Sequence, residues 1–266
     1  PMPPGICQVD SIVVLIVQGA KRMLAGDDAY VYDCKRFLLA SLDVPASSEV
    51  VEASPDRPCL GLVLKLDLRM MTELVAQSHL PPPKDRWVAG SMALGAVTPT
   101  LLESFRRLTD LLDEPDAIAV LAPLVLREIH YRLLRSDQAG RLRQLASVGS
   151  QSHHVARAIE WLKGNYASPL RIEELANRVH MSASSLHHHF RQLTAMSPLQ
   201  YQKWLRLNEA RRLMLNEGFD AAGAAFKVGY ESPSQFSREY ARLFGAPPRR
   251  HVVGLRSKAA PSQLPP

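Results

Sequence analysis

Two short stretches place side chains able to read nucleic acid at the spacing of an outward helix face. In the first, Ser184, His187, His188 and Arg191 face out once Leu186, Phe190 and Leu193 are assigned to a core. In the second, Ser234, Gln235, Arg238 and Arg242 are left outward by Phe236, Tyr240 and Leu243. Hydroxyl, imidazole, amide and guanidinium groups so arranged suit base edges in a major groove, where arginine grips guanine with two hydrogen bonds and glutamine suits adenine. Arg238 is the most informative of them; the competing use of its charge is an ion pair with Glu231 or Glu239. The run His187-His188-His189 is not a metal site, because neighbouring helical residues are turned about 100° apart and cannot converge on one ion. His189 is expected at the edge of the core.

Both stretches belong to one repeat. PLRIEELANRVHMSASSLHHHFRQLTAMSP and FDAAGAAFKVGYESPSQFSREYARLFGAPP align with one extra residue in the second turn. Leu175, Ala176 and Val179 match Ala224, Ala225 and Val228, and after the turn Leu186, Phe190, Leu193 and Pro198 match Phe236, Tyr240, Leu243 and Pro248. A helix, a short turn and a second helix is the unit repeated. The copies are joined by one helix with clear ends: Ser197 as N-cap, Pro198 in the first turn and Gly218 beyond the last. From Pro198 to Glu217 it spans about 30 Å, close to the ~34 Å between successive major grooves on one face of DNA.

The 266 residues have room for two domains, and their charge is divided. Residues 1–150 carry 16 Lys and Arg against 18 Asp and Glu, whereas residues 151–266 carry 16 against 8. The basic half holds the repeat and suits a polyanion. Cys7, Cys34 and Cys59 are odd in number and far apart, as expected for reduced thiols in a cytoplasmic protein. The early apolar run Ile12 to Val17 is too short to span a bilayer, so no membrane partner is expected.

Before residue 67, the runs IVVLIVQ, AYVY, RFLLA, SEVVEA and CLGLVLKL read as strands of an antiparallel barrel or sandwich. Helical periodicity follows from Leu68, from Thr100 to Leu112 and from Ile118 to Arg135; residues 84–98 are ambiguous, and one of the two longer helices can supply a dimer seam. The fold class is therefore α+β: a β-rich N-terminal domain with helices, and an all-α C-terminal domain of two helix-turn-helix units. The expected boundaries are 1–140 for the sensing and dimerisation domain, 141–152 for a linker, 153–256 for the DNA-binding domain and 257–266 for a disordered tail.

At MSPLQYQKWLRLNEARRLM and VGYESPSQFSREYARLFGAPPRR the chain resembles the AraC/XylS family of bacterial transcription regulators. QGAK at 18–21, YVYDCKRFLLASLDVP at 30–45 and ASPDRPCLGLVLKLD at 53–67 are similar to the N-terminal domain of such regulators. The resemblance implies a cupin-like barrel, a homodimer, a small-molecule effector, and double-stranded DNA and RNA polymerase as partners. Lys21, Tyr30, Tyr32 and Arg36 are the candidate effector contacts. Only His79 and His130 precede residue 150 and neither lies on a predicted strand, so no catalytic residue, metal or cofactor is expected. The alternative to an effector-responsive regulator is an architectural or ligand-independent DNA-binding protein.

Overall fold

The computed structural model describes residues 5–9, 11–25, 28–78, 90–147 and 149–259. Among these, eight strands lie in the N-terminal half: β1 (Gly5–Val9), β2 (Ile12–Gln18), β3 (Ala20–Ala25), β4 (Asp28–Tyr32), β5 (Arg36–Ala40), β6 (Val44–Glu52), β7 (Leu60–Lys65) and β8 (Met92–Ala96). They form two four-stranded antiparallel sheets, ordered β1-β6-β3-β4 and β7-β2-β5-β8.

β2 and β5 carry apolar runs because both faces are buried over Val13–Ile16 and Phe37–Ala40. Val13, Leu15, Phe37 and Leu39 face a helical layer, and Val14, Ile16, Leu38 and Ala40 on the other side are buried too. The helices are α1 (Leu68–Gln77), α2 (Pro99–Asp110), α3 (Pro115–Leu133) and α4 (Ala139–Ala146). Met71 and Leu74, Leu101 and Phe105, Ile129 and Leu133, and Leu142 and Ala146 join the sheet residues in one core. α4 thus occupies the start of the stretch expected as a linker, because its short apolar face is needed to complete this core.

His130 on α3 is 1% exposed and ties two helices together. Its Nε2 accepts the Asp67 backbone N–H at 3.0 Å, which leaves Nδ1 to donate to the Leu126 carbonyl at 2.7 Å. Asp67 in turn caps α1 by accepting the Met70 N–H at 2.9 Å.

The remaining helices are α5 (Gln151–Asn165), α6 (Ile172–Arg178), α7 (Ala183–Thr194), α8 (Pro198–Asn216), α9 (Ala221–Lys227), α10 (Pro233–Phe244) and α11 (Pro248–Ala259). By their contacts, Ala158–Ala183 and the described residues from Met196 to Ala259 form one compact lobe, while Ser184–Ala195 groups with the N-terminal lobe. The core of the C-terminal lobe gathers Leu207, Ala210 and Leu213 of α8, Ala224 and Ala225 of α9, Phe236 and Tyr240 of α10, and Val252 of α11.

α8 has the ends its sequence predicts. Ser197 Oγ accepts the Gln200 N–H at 3.2 Å and Gln200 Oε1 accepts the Ser197 N–H at 2.8 Å, a capping box, with Pro198 following and Gly218 left-handed at φ 75°. Its 19 residues make a rod of about 28 Å. α11 was not foreseen, and it takes the predicted tail as far as Ala259; residues 260–266 lie outside the described residues. No helix among the described residues is long and apolar enough to cross a membrane.

Burial holds the His130 imidazole below its ordinary value of 6.5, against the opposing influence of the Leu126 carbonyl and Asp67. The unfolded chain therefore binds the extra proton, so this group's contribution to stability is complete above about pH 6.5 and is lost as pH falls toward the depressed folded value. The urea midpoint of the chain is expected to fall between pH 7.5 and 5, and His130→Gln to flatten that dependence; an unchanged slope in the variant would refute the assignment.

Candidate nucleic-acid interface

The two copies of the repeat share their special backbone positions. His180 in the first turn is left-handed at φ 57°, and its counterpart Gly229 at φ 89°; Ala195 after α7 is left-handed at φ 59°, and its counterpart Gly245 at φ 76°. At Gly229 no side chain is possible, since a Cβ would lie 2.0 Å from the Ala167 carbonyl oxygen. At the two equivalent sites the first copy carries L-residues, with the strain that implies.

These turns set the facing of the second helix in each copy. On α10, Ser232 caps the start by accepting the Gln235 N–H at 3.3 Å; Phe236 and Tyr240 are buried, and Ser234, Gln235, Arg238 and Arg242 are exposed. Glu239, the expected alternative partner of Arg238, is already engaged. Lys203 Nζ donates to it at 2.8 Å, Tyr230 Oη at 2.8 Å and Gln235 Nε2 at 3.1 Å. Burial pushes the Glu239 carboxyl up, but those three donors together hold it below the usual carboxylate value. Arg238 has no hydrogen bond or ion pair among the described residues, whereas Gln235 spends one amide hydrogen on Glu239.

On α7, Leu186, Phe190 and Leu193 are buried, while Ser184, His187, His188 and Arg191 are exposed. His189 is partly buried with its ring edge-on to His188, centroids 5.1 Å apart, and burial, then the neighbouring His188, holds its imidazole below the ordinary value. No cluster of three or more His, Cys, Asp or Glu able to hold a metal occurs among the described residues, and His79 lies outside them.

A family model described as the AraC-type transcriptional regulator N-terminus matches residues 1–141, and one for a helix-turn-helix domain matches residues 175–252. The chain belongs to the AraC-type transcriptional regulators. It is 26% identical over 260 residues to the HTH-type transcriptional activator RhaS of Pectobacterium carotovorum subsp. carotovorum, covering 92% of this chain and 87% of that one. Its fold is similar to that of ToxT from Vibrio cholerae O395 bound to (E)-4-(8-methylnaphthalen-1-yl)but-3-enoic acid, with a TM-score of 0.60, 10% identity and 95% of each chain covered. A second ToxT structure, holding an unsaturated fatty acid, gives a TM-score of 0.54 at 11% identity, covering 94% of this chain and 90% of that one.

The residue that organises this regulator's C-terminal lobe carries no sequence signature. Arg206, on α8, donates to the carbonyls of Tyr166 at 2.6 Å, Ala167 at 3.2 Å and Ser168 at 3.0 Å, where α5 has ended, and to Gly229 in the second turn at 2.9 Å. Gln202, one turn earlier, donates to Tyr166 and Ser168 at 3.0 and 2.7 Å. The repeat alignment carries Arg206 onto Arg256 of α11, and Arg256 donates to the carbonyls of Met214 and Leu215 at the end of α8, at 2.7 and 3.3 Å. Each copy is thus closed by an arginine of its last helix on the carbonyls that end its first, and α8 is last helix of one copy and first of the next. A repeat search extended beyond the helix-turn-helix would have exposed the pair.

In the N-terminal lobe the cross-strand pairs Lys21↔Tyr32 and Met23↔Tyr30 put Lys21, Tyr30 and Tyr32 on one sheet face. Tyr32 is 1% exposed and packs as core, Tyr30 reaches Asp28 at 3.4 Å, and Arg36 is exposed at the start of β5 in the other sheet, apart from the three. Sequence reasoning missed Arg141 of α4, which donates to the Gly90 carbonyl and, from a site where burial lowers its pKa, interacts with the Tyr30 phenol.

Arg206→Lys keeps the charge but loses the planar fork, and is expected to destabilise the chain by about 2–3 kcal/mol in urea unfolding, more than Arg256→Lys, whose arginine serves two carbonyls. Equal small losses would mean that the carbonyls find water instead. Ala195→Gly, which relieves a left-handed alanine, should stabilise by up to about 1 kcal/mol; a lower midpoint would show that no strain is held there.

Proposed function

We propose that this regulator reads double-stranded DNA with both copies of its repeat, through Ser184, His187, His188 and Arg191 on α7 and Ser234, Gln235, Arg238 and Arg242 on α10. The observation that carries the reading is Arg238: an exposed guanidinium without a partner among the described residues, on the outward face of a helix whose acidic neighbour is neutralised by other groups. The net positive charge of residues 151–266 supports it, as does the length of α8, about 28 Å against ~34 Å between successive major grooves.

The N-terminal domain, in this reading, is a sensor and a dimer contact in the cytoplasm. ToxT, whose fold is similar, holds an unsaturated fatty acid, which supports a small-molecule effector here; Lys21 and Tyr30, with Arg141 close to Tyr30, are the side chains proposed to meet it. Val120, Leu121 and Leu124 form an exposed apolar stripe on α3, at 67%, 41% and 61% exposure, which supports a homodimer through that face. RhaS is named as an activator, and contact with RNA polymerase is proposed on that likeness.

Arg238→Ala is expected to weaken binding to the specific site by about 1–3 kcal/mol and to relax preference at one base position. Binding titrations on the selected site and on random duplex measure it. Equal loss on both would assign Arg238 to phosphate, and no loss on either would remove it from the interface.

A further inference from the structure

A groove of about 400 Å³ runs between α8 and α10 in the C-terminal lobe. Trp204, Leu207 and Leu243 give it an apolar wall, and Lys203, Arg242 and Glu239 a charged one. We propose that this groove is a ligand site in its own right, separate from the N-terminal sensor, for a compact organic anion: one or two apolar rings bearing a single carboxylate.

Charge complementarity selects the anion. Glu239 is paired with Lys203 and also accepts from the neutral Tyr230 and Gln235, so that pair carries no net charge and Arg242 leaves the groove one positive charge in excess. Lys203 has spent one of its three ammonium hydrogens there, and Arg242 makes no hydrogen bond or ion pair among the described residues. Two donors thus remain for an incoming carboxylate. The apolar body is selected by the other wall. Trp204 is 3% exposed and its Nε1–H is buried without an acceptor among the described residues, so an unspent donor belongs to this wall. A nucleic-acid phosphate would satisfy the cations but leave the Trp204, Leu207 and Leu243 wall uncovered, whereas an aryl carboxylate meets both. The volume is in the range that small-molecule sites occupy.

Arg242 is also one of the side chains proposed to meet DNA, so a carboxylate that draws it into the groove competes with DNA. That coupling rests on the DNA reading of α10; the site itself does not.

The test uses the full chain, labelled at the indole nitrogens of its three tryptophans, with biphenyl-4-carboxylate as probe and biphenyl-4-carboxamide as the uncharged control. The carboxylate is expected to shift the Trp204 indole resonance, assigned with Trp204→Phe, and to leave that of Trp161 in place. The carboxamide should bind about tenfold more weakly, and Arg242→Gln, an exposed change that breaks no internal bond, should weaken the carboxylate by about fivefold or more. Specific duplex should lower the apparent carboxylate affinity. No Trp204 shift at about 1 mM carboxylate, or equal affinity for carboxylate, carboxamide and the Arg242→Gln variant, would overturn the site. A chain that takes the carboxylate at Trp204 but discriminates no duplex sequence would overturn the DNA reading of α10 and leave the groove standing.

Discussion

A helix that ends inside a protein leaves carbonyls that must be satisfied, and the C-terminal lobe is built around that constraint. After α5 the chain turns at Tyr166, Ala167 and Ser168, whose carbonyls are met from α8; the Arg206 bonds to Tyr166 and Gly229 are partly buried and those to Ala167 and Ser168 exposed. A carbonyl left unpaired costs about 1–3 kcal/mol where it is buried and less where water reaches it. Arg206 and Gln202 answer them together, and Arg206 extends the same fork to Gly229 in the turn between α9 and α10. The guanidinium also lies over the Tyr230 ring at 5.8 Å, and Tyr230 reaches on to Glu239 of α10. One side chain therefore fixes the end of α5, the second turn and the rim of α10. Gly229 follows from this closeness: the Ala167 carbonyl that Arg206 gathers leaves no room for a Cβ.

The same lock closes both copies, but the copies are finished differently. Arg256 meets two carbonyls at the end of α8 from an exposed position, whereas Arg206 meets four. Conversely, the second copy holds its left-handed positions with Gly229 and Gly245, while the first places His180 and Ala195 in the same region. Stability is thus drawn from different sources in the two halves: side-chain hydrogen bonds offset backbone strain in the first, and unstrained turns accompany a lighter lock in the second. The helix faces differ in kind as well. α10 offers guanidinium groups beside a carboxylate already neutralised, and α7 offers hydroxyls and imidazoles, which suits shorter-reach contacts.

Features that are local in sequence were legible there. The ends of α8 and α10 depend on a cap, a proline and a glycine within a few residues, and Ser197-Pro198, Gly218, Ser232-Pro233 and Gly245 act as they read. The apolar runs of β2 and β5 match their strands end to end because burial on both faces leaves no polar alternation to blur them. β3 was missed for the opposite reason. Its adjacent Lys21 and Arg22 face opposite sides of a sheet that is less buried, and its two fully buried residues, Ala20 and Met23, are three apart, so no period of two shows. α4 read as a connection because eight residues with four apolar positions are too few to show a helical period. Arg206 was out of reach in a different way. Its partners are some forty and twenty-three residues away and are all backbone carbonyls, which leave no mark on residue type. What could have revealed it is the repeat itself: extended by one helix on each side, the alignment sets Arg206 over Arg256 and Tyr166 over Leu215. An arginine that recurs opposite a helix end, at the same step of each copy, marks a lock on carbonyls that residue types alone leave invisible.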